Sequence, residues 1–430
     1  MIASLVMLGG LALIGVAAVP AWGFVAIKDA NGHENITRAG LSCSAKGAPP
    51  DCFQGGRGIR TSMSQLAGGH ASFVGAVESP DAGVNPRSGY GFKFPEANHC
   101  MNGDFNIVGA PTYRQTMAQA HANLRKCVRG VTDRMAHAVQ LAARLVPNLR
   151  ADGIPALGCV FFRGRNLLFG TPITPSNPKC AVINELGRGL HTAQDFYAHS
   201  NWTDAKLPGQ NSVTNPPGLG QTGVPAFLRF TCTFRRIVGF VCPPLTEAFP
   251  PGLVTACDEG TTVRFLGIKL GTVPGAPGCK PKTAIAGSIG EAVTHATLEK
   301  DRGTINPVTG MATPTKHTSA RGRISAGGVT NWQRAVTGAV AQTRGTWSDF
   351  IAALRARYGP AQSQLMVRAL TCDKPWEPRT CPPSGAPTTG GGSTAGGADP
   401  ALLGAGGAAV AAGVGLLGLG WRRRGSATRR

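Results

Sequence analysis

One stretch of this chain, HTAQDFYAHSNW, constrains its fold and chemistry more than any other. It places His191, Asp195 and His199 at successive steps of four residues. On an α-helix such a step turns about 40° past one full turn, so all three side chains are predicted to lie on one narrow helix face. Imidazole and carboxylate groups that converge are typical zinc ligands. The alternative is a polar helix face with two ordinary histidines.

A second pair of candidate ligands, His295 and Glu299, is also separated by four residues. A single pair at this spacing is common by chance. Here it occurs on a separate predicted helix, downstream of the first motif. The joint occurrence favours a metal site built from two helices.

The N-terminus supplies a third feature. Residues 2–19 are apolar and are followed by Val19-Pro20-Ala21, which fits the small-x-small rule for signal peptidase, so 1–21 is predicted to be a signal peptide. Cleavage there makes Trp22 the first residue, and its free amino group and carbonyl can chelate a metal together with the nearby His33. Alternatively, Trp22 only ends the signal peptide and His33 lies in a loop.

These three features together resemble the superfamily of zinc-dependent phospholipases C and single-strand nucleases. The sequence LHTAQDFYAHSNW is most similar to the branch that contains the heterokaryon-incompatibility C proteins and bacterial exported proteins. The resemblance covers residues 22–381. It implies a mainly α fold, a multi-helix bundle of the phospholipase C/nuclease type, which binds up to three zinc ions.

The resemblance also implies a ligand set drawn from distant parts of the chain. The implied ligands are Trp22, His33, His99, His191, Asp195, His199, His295 and Glu299. Asp195 would bridge the ion at the N-terminus to a second ion, and the last three residues would hold a third. In members of this family the residues equivalent to Asp195 and His199 are usually six positions apart, whereas here they are four apart. One or two bound ions, or an inactive site, are therefore alternatives.

The family also uses a histidine and a carboxylate between the N-terminus and the central helix. The best match is the run 96–99, in which His99 is the candidate histidine. His70, outside that run, is a weaker alternative. Glu96 or Asp104 is the candidate carboxylate. Glu96 or Asp195 would orient the attacking water as general base.

The charge of the chain bears on its partner. The formal net charge of +21 favours an anionic partner such as phospholipid, nucleic acid or an acidic wall polymer. Aromatic residues make up only 6%, which is sparse for stacking of bases along a groove. Phospholipid is therefore preferred to nucleic acid. A basic, arginine-rich proteome is the alternative explanation of the charge.

Twelve cysteines, an even number without a CxxC motif, predict disulfide bonds in an exported protein. Proximity along the chain predicts the following pairs: Cys43 with Cys52, Cys100 with Cys127, Cys159 with Cys180, Cys232 with Cys242, Cys257 with Cys279, and Cys372 with Cys381.

The C-terminal region is predicted to anchor the protein. A low-complexity spacer at 382–399 precedes the uncharged stretch 400–421, which at 1.5 Å per residue spans roughly 30 Å, enough for a bilayer. The basic tail 422–430 is predicted to lie in the cytoplasm. The run Pro387-Thr388-Thr389-Gly390 resembles a sortase signal, but a simple membrane anchor is preferred. Either arrangement places the body of the protein on the extracellular face of the membrane or in the cell wall.

The body is predicted to be mainly helical. Apolar spacing and capping residues predict helices at 113–146, 177–200, 283–301, 331–358 and 361–370, with a loop-rich region at 30–111. The segment 203–281 is rich in proline and glycine and is predicted to be a small disulfide-bearing, β-rich insertion, with strands at 227–234, 237–241 and 262–270.

These observations predict an exported, membrane-anchored, zinc-dependent phosphodiesterase that hydrolyses phospholipid. Two alternatives remain open. One is a non-catalytic cell-surface protein of the same fold, in which zinc is structural or the site is degenerate. The other is an extracellular nuclease.

Overall fold

The computed structural model describes residues 32–58, 60–68, 76–77, 99–107, 113–145, 154, 158–159, 177–235, 239–241, 249–258, 260–265, 268–279 and 292–377. The predicted signal peptide and the C-terminal segments 382–399, 400–421 and 422–430 lie outside these residues. No helix within the described ranges combines the length and the apolar character that a membrane span requires. The chain divides into the units Met1–Gly385 and Ala386–Arg430, and all described residues belong to the first.

The described part of the chain is mainly helical, as predicted. Its α-helices are α1 (Gly32–Leu41), α2 (Ser62–Ala67), α3 (Met117–Ala142), α4 (Pro178–His199), α5 (His295–Leu298), α6 (Ala320–Arg323) and α7 (Asn331–Thr371). Short 3-10 helices cover Ala143–Leu145 and Ala226–Leu228. Inside α7, Gly359 has a non-helical φ of 78° directly before Pro360, so α7 consists of the two helices that the sequence predicts.

The start of α4 follows from its first residues. The Asn177 side chain accepts a hydrogen bond from the backbone N–H of Cys180, and Pro178 occupies the first helical position. Proline suits this position because its missing N–H would have no partner inside the helix. The predicted boundaries of this helix are confirmed.

Helix α4 lies at the centre of the bundle, between α3 and α7. Two glycines allow the close approach. A Cβ on Gly189 would lie 2.3 Å from the Met135 Cε on α3, and one on Gly338 of α7 would lie 2.4 Å from Cε1 of Tyr197. From Lys179 to His199 every residue of α4 except Asn184 is buried.

Two predictions for the helices differ from the structure. The region 30–111 contains α1 and α2, so His33 lies on a helix rather than in a loop. The Asn-Gly pair at its start is typical of turns, and α1 is formed instead by packing on α7, where a Cβ on Gly40 would come within 2.9 Å of Thr343. In the predicted helix 283–301, the described residues 292–301 are helical only over His295–Leu298, because the chain becomes extended at Glu299 (ψ 137°).

In the described part of the chain, the named β-strands form antiparallel two-stranded pairs. These are β1 (Thr233–Arg235) with β2 (Gly239–Val241), β3 (Gly260–Phe265) with β4 (Ile268–Pro274), β5 (Thr304–Ile305) with β6 (Ala312–Thr313), and β7 (Ser325–Ala326) with β8 (Val329–Thr330). The single strand predicted at 262–270 is a hairpin, in which Phe265 stands opposite Ile268. An alternating pattern does not reveal such a chain reversal.

The disulfide bonds follow the predicted pairing where both partners are described. These bonds are Cys43–Cys52, Cys100–Cys127, Cys159–Cys180 and Cys257–Cys279. Cys232 and Cys372 are also disulfide-bonded, and their predicted partners lie outside the described residues. The bond Cys100–Cys127 ties the segment that follows His99 to α3, and Cys159–Cys180 ties another segment to the start of α4.

Candidate metal centre

A buried group of three side chains joins α1 to α4. Ligand atoms of His33, His191 and Asp195 lie within 4.8 Å of one another. Nε2 of His33 is 3.1 Å from Oδ1 of Asp195, and Nε2 of His191 is 3.0 Å from Oδ2 of the same carboxylate. All three side chains are fully buried. Polar groups buried this deeply need partners, because each has lost its contact with water.

His99 adds a third imidazole to the same carboxylate. Its Nδ1 lies 2.7 Å from Oδ2 of Asp195 and 3.3 Å from Nε2 of His191. Cys100 and Asn102 adopt positive φ angles of 51° and 65°, so the backbone bends sharply directly after His99. Both oxygens of Asp195 therefore face imidazole nitrogens.

The hydrogen bond of His191 fixes the direction of its lone pair. Its Nδ1 lies 2.9 Å from the carbonyl oxygen of Val77, which only accepts, so Nδ1 carries the proton. Nε2 of the neutral ring then directs a lone pair at Asp195. Two lone pairs 3.0 Å apart repel each other unless a proton or a metal cation lies between them.

His33 is held in the same way by the amide of Gln194. The Nε2 of Gln194 donates to the hydroxyls of Thr37 and Thr343, which orients its Oε1 towards Nδ1 of His33 at 2.8 Å. Nδ1 of His33 therefore donates, and its Nε2 lone pair faces Asp195. Fixing one ring nitrogen with a protein acceptor, and so the tautomer and the ring orientation, is typical of metal-binding histidines.

A second group lies at the C-terminal end of α4. It consists of His199, His295 and Asp301. Nε2 of His295 is 3.0 Å from Oδ2 of Asp301 and 3.2 Å from Nε2 of His199, which is itself 3.5 Å from Oδ1 of Asp301. Nδ1 of His199 donates to the backbone carbonyl of His99 at 3.0 Å, so its Nε2 lone pair also points into the group.

Asp301 occupies the position that the sequence pattern predicts for Glu299. Oε2 of Glu299 lies 3.3 Å from Nδ1 of His295, which is the ring nitrogen on the opposite side from Nε2. A spacing of four residues brings ligands together only inside a helix, and α5 ends at Leu298. Beyond that residue the chain turns and brings in Asp301. The run Glu299-Lys300-Asp301, with two acids near one histidine, was the available signal.

The motif on α4 divides between the two groups rather than converging on one spot. His199 lies eight residues after His191, which is about 12 Å along the helix and about 80° around it. His191 and Asp195 therefore share the first group, and His199 belongs to the second. His99 connects them, because its side chain lies in the first group and its carbonyl orients His199 in the second.

Charge is distributed differently in the two groups. Burial, and then the charge of His33, lowers the pKa of His191 to about 3. Burial alone would raise the pKa of Asp195, but His191 and His33 hold it well below its usual value. In the second group burial opposes protonation of His295, yet Asp301 and Glu299 raise its pKa to about 10. Without metal, the second group therefore retains a proton at neutral pH.

The residues present fit a divalent metal ion. Each group offers at least two imidazole nitrogens and one carboxylate, and His99 adds a third imidazole to the first group. This donor set suits zinc and related transition metals. The lone pairs of His33, His191 and His199 point inwards because a protein acceptor occupies the other ring nitrogen. The three ligands of the second group leave a coordination position for water or substrate.

The remaining predicted site residues lie elsewhere or outside the described residues. Asp104 accepts hydrogen bonds from Tyr113 and Arg114, both at 2.7 Å, and so belongs to a separate polar cluster. Trp22, Glu96 and His70 are outside the described residues.

Comparison of this chain with protein-family models, with curated proteins and with solved structures finds no match. The geometry of the two groups is therefore the basis for assigning a function. Most of the predicted ligands meet in them, although they are widely separated along the chain. These residues are His33, His99, His191, Asp195, His199 and His295.

Proposed function

We propose that this protein is an exported, zinc-dependent phosphodiester hydrolase of the phospholipase C type. The observation that carries the proposal is the pair of buried groups along α4, in which oriented imidazole lone pairs face a shared carboxylate. The proposal includes membership of the zinc phospholipase C and single-strand nuclease superfamily, in its heterokaryon-incompatibility C-like branch. It also includes the C-terminal membrane anchor at 400–421.

Bound zinc lowers the pKa of a coordinated water to about 7 and stabilises charge on a phosphoryl oxygen. The chain's own contribution is to hold the ligands rigidly. Gln194 and the Val77 carbonyl fix the rings of His33 and His191, and the His99 carbonyl fixes His199. Preorganised ligands of this kind need no rearrangement when the substrate binds.

The roles of the two candidate catalytic carboxylates differ. Both oxygens of Asp195 face imidazoles and the residue is fully buried, which favours a role as a metal ligand. Glu96 remains the candidate general base and lies only three residues before His99. Exchange of Glu96 for glutamine is expected to reduce the rate of hydrolysis while leaving the bound zinc in place.

Phospholipid is the substrate class that the whole chain favours. The net charge of +21 attracts an anionic surface, and the proposed anchor would keep the site close to lipid. A single-strand nuclease is the second candidate, because the same charge attracts nucleic acid. The third is a surface protein in which the two groups hold structural zinc.

One experiment separates these candidates. The purified full chain is analysed for zinc and then assayed for release of soluble phosphate ester from phosphatidylcholine vesicles and for cleavage of single-stranded DNA. The variants are His191→Ala and Asp195→Asn, and the matched control is His137→Ala, because that histidine is half-exposed on α3, far along the chain from either motif.

Zinc together with lipid hydrolysis that both variants abolish and the control retains supports the proposal. Cleavage of DNA without lipid hydrolysis favours the nuclease. Zinc without either activity favours the structural role. A chain that binds no zinc contradicts all three candidate functions.

A further inference from the structure

A cluster of three buried charges lies directly beside the second metal group. Asp204 and Lys300 are fully buried and Arg321 is 4% exposed. Nζ of Lys300 is 3.1 Å from Oδ1 of Asp204, and Nε of Arg321 is 2.7 Å from Oδ2. Two cations thus share one carboxylate in the interior of the protein.

Lys300 also holds two backbone segments together. Its ammonium donates to the carbonyl of Ser200 at 2.8 Å and to the carbonyl of Leu298 at 2.9 Å. With Asp204 as its ion-pair partner, the ammonium has three oxygen atoms within 3.1 Å. No shorter or uncharged side chain offers three donors in this arrangement.

These contacts fall next to every ligand of the second group. Ser200 directly follows His199 at the end of α4, and Leu298 ends the single turn of α5 that begins at His295. Lys300 itself directly precedes Asp301. One ammonium therefore connects the end of α4, which carries His199, to the segment 295–301, which carries His295 and Asp301.

Arg321 extends the cluster to the rest of the fold. It donates to Oδ1 of Asn215 at 3.1 Å and to the carbonyl of Pro216 at 2.9 Å. Its own carbonyl accepts from the side chain of Asn331, the first residue of α7. The segment 299–301 has no regular secondary structure, and this network holds it against the bundle.

A role in stability alone does not account for the cluster. Replacing a buried ion pair by apolar residues of similar size is often neutral or stabilising, because desolvation of the charges offsets their attraction. What the cluster provides is a fixed geometry between α4 and the loop after α5. We infer that Lys300, paired with the Asp204 carboxylate that Arg321 also holds, is the positioning residue of the second metal group, an inference that rests on the proposed metal-dependent function.

The test compares two fully buried lysines. Lys300→Met removes the ammonium and keeps the apolar stem, while Arg321 still pairs with Asp204. The matched control is Lys179→Met. Lys179 donates to the Ser62 hydroxyl and to the Cys372 carbonyl, at the other end of α4. Both variants of the full chain are titrated with Zn²⁺ against a chelating indicator, and with Co²⁺ followed by visible absorption.

Lys300→Met is expected to weaken zinc binding to the second metal group, measured as the second of two binding steps, about 10- to 100-fold, as loss of an outer-shell contact does. It is also expected to alter the visible absorption of Co²⁺ bound to that group. The first step is expected to stay unchanged. Lys179→Met is expected to change neither step. If Lys300→Met does not fold, Lys300→Gln decides by the same criterion, because its amide retains part of the donor set.

The outcomes separate the inference from the proposed function. Two binding steps that respond equally in the Lys300 and Lys179 variants overturn the inference and leave the metal centre standing. A wild-type chain that binds no metal overturns the proposed function, and with it the inference. Selective loss of the second step in Lys300→Met supports both.

Discussion

Zinc binding by the second metal group is expected to depend steeply on pH. In the metal-free protein Asp301, followed by Glu299, raises the pKa of His295 to about 10, against the effect of burial. A zinc ion that binds Nε2 of His295 must displace that proton. At pH 7, three units below the pKa, only about one molecule in 10³ has a neutral His295, and the competition costs about 4 kcal/mol of apparent binding free energy.

The first group behaves differently. Burial, with the charge of His33, lowers the pKa of His191 to about 3, so His191 is already neutral at every pH above about 4. It releases no proton on binding. The pH dependence that arises from His295 therefore belongs to the second group, and His191 contributes none in the first.

The assay is a zinc titration between pH 6 and pH 8 against a chelating indicator. The apparent dissociation constant of the second step should fall about tenfold per pH unit. Calorimetry in two buffers of different ionisation enthalpy should show about one proton released in that step. A second step that does not change with pH, or that releases no proton, refutes the reasoning.

The raised pKa also sets the stability of the metal-free protein. Below the ordinary histidine pKa near 6.5, His295 is protonated whether the chain is folded or unfolded, and its full contribution to stability is present. Between 6.5 and about 10 only the folded state retains the proton. The free energy of unfolding contributed by His295 is therefore lost progressively over that window as the pH rises.

Two further predictions use matched variants. Gly187→Ala places a Cβ 2.5 Å from Ala76, next to Val77, whose carbonyl orients His191. The variant should lose about 1–3 kcal/mol of unfolding free energy in chemical denaturation and bind the first zinc ion more weakly. The control Gly130→Ala, in open space on α3, should gain about 0.5–1 kcal/mol. Asp301→Asn should abolish the second zinc-binding step in the indicator titration. Glu299→Gln should retain that step, because its amide oxygen still accepts a hydrogen bond from Nδ1 of His295. Equal loss in both variants contradicts the assignment of Asp301 as the ligand.

The sequence predicted those parts of the fold and site in which local rules apply. The proline and asparagine at the start of α4 set its boundary, and the spacing of His191 and Asp195 brought them together, because both lie within one continuous helix. Four disulfide pairs followed from proximity along the chain. The prediction of a mainly α protein is confirmed because apolar spacing and capping residues are also local signals.

The remaining features depend on contacts between distant segments. In the sequence, an Asn-Gly pair typical of turns leads into α1, which begins at Gly32 and is stabilised by packing on α7. Its helical state was therefore not predictable from its own residues. Asp301 enters the second group only because the chain leaves the helix after Leu298. The positions of His99 and Lys300 depend on a backbone bend and on a buried ion cluster, neither of which has a signature in the sequence.

The central claim is that two metal ions bind along α4, one to His33, His191 and Asp195 and one to His199, His295 and Asp301. Diffraction data collected from zinc-loaded crystals on both sides of the zinc absorption edge test it most directly. We predict two anomalous peaks, each within bonding distance of about 2.0–2.2 Å of the named nitrogen and oxygen atoms. Absence of anomalous density at both groups, with the side chains still in the geometry described, would contradict the account.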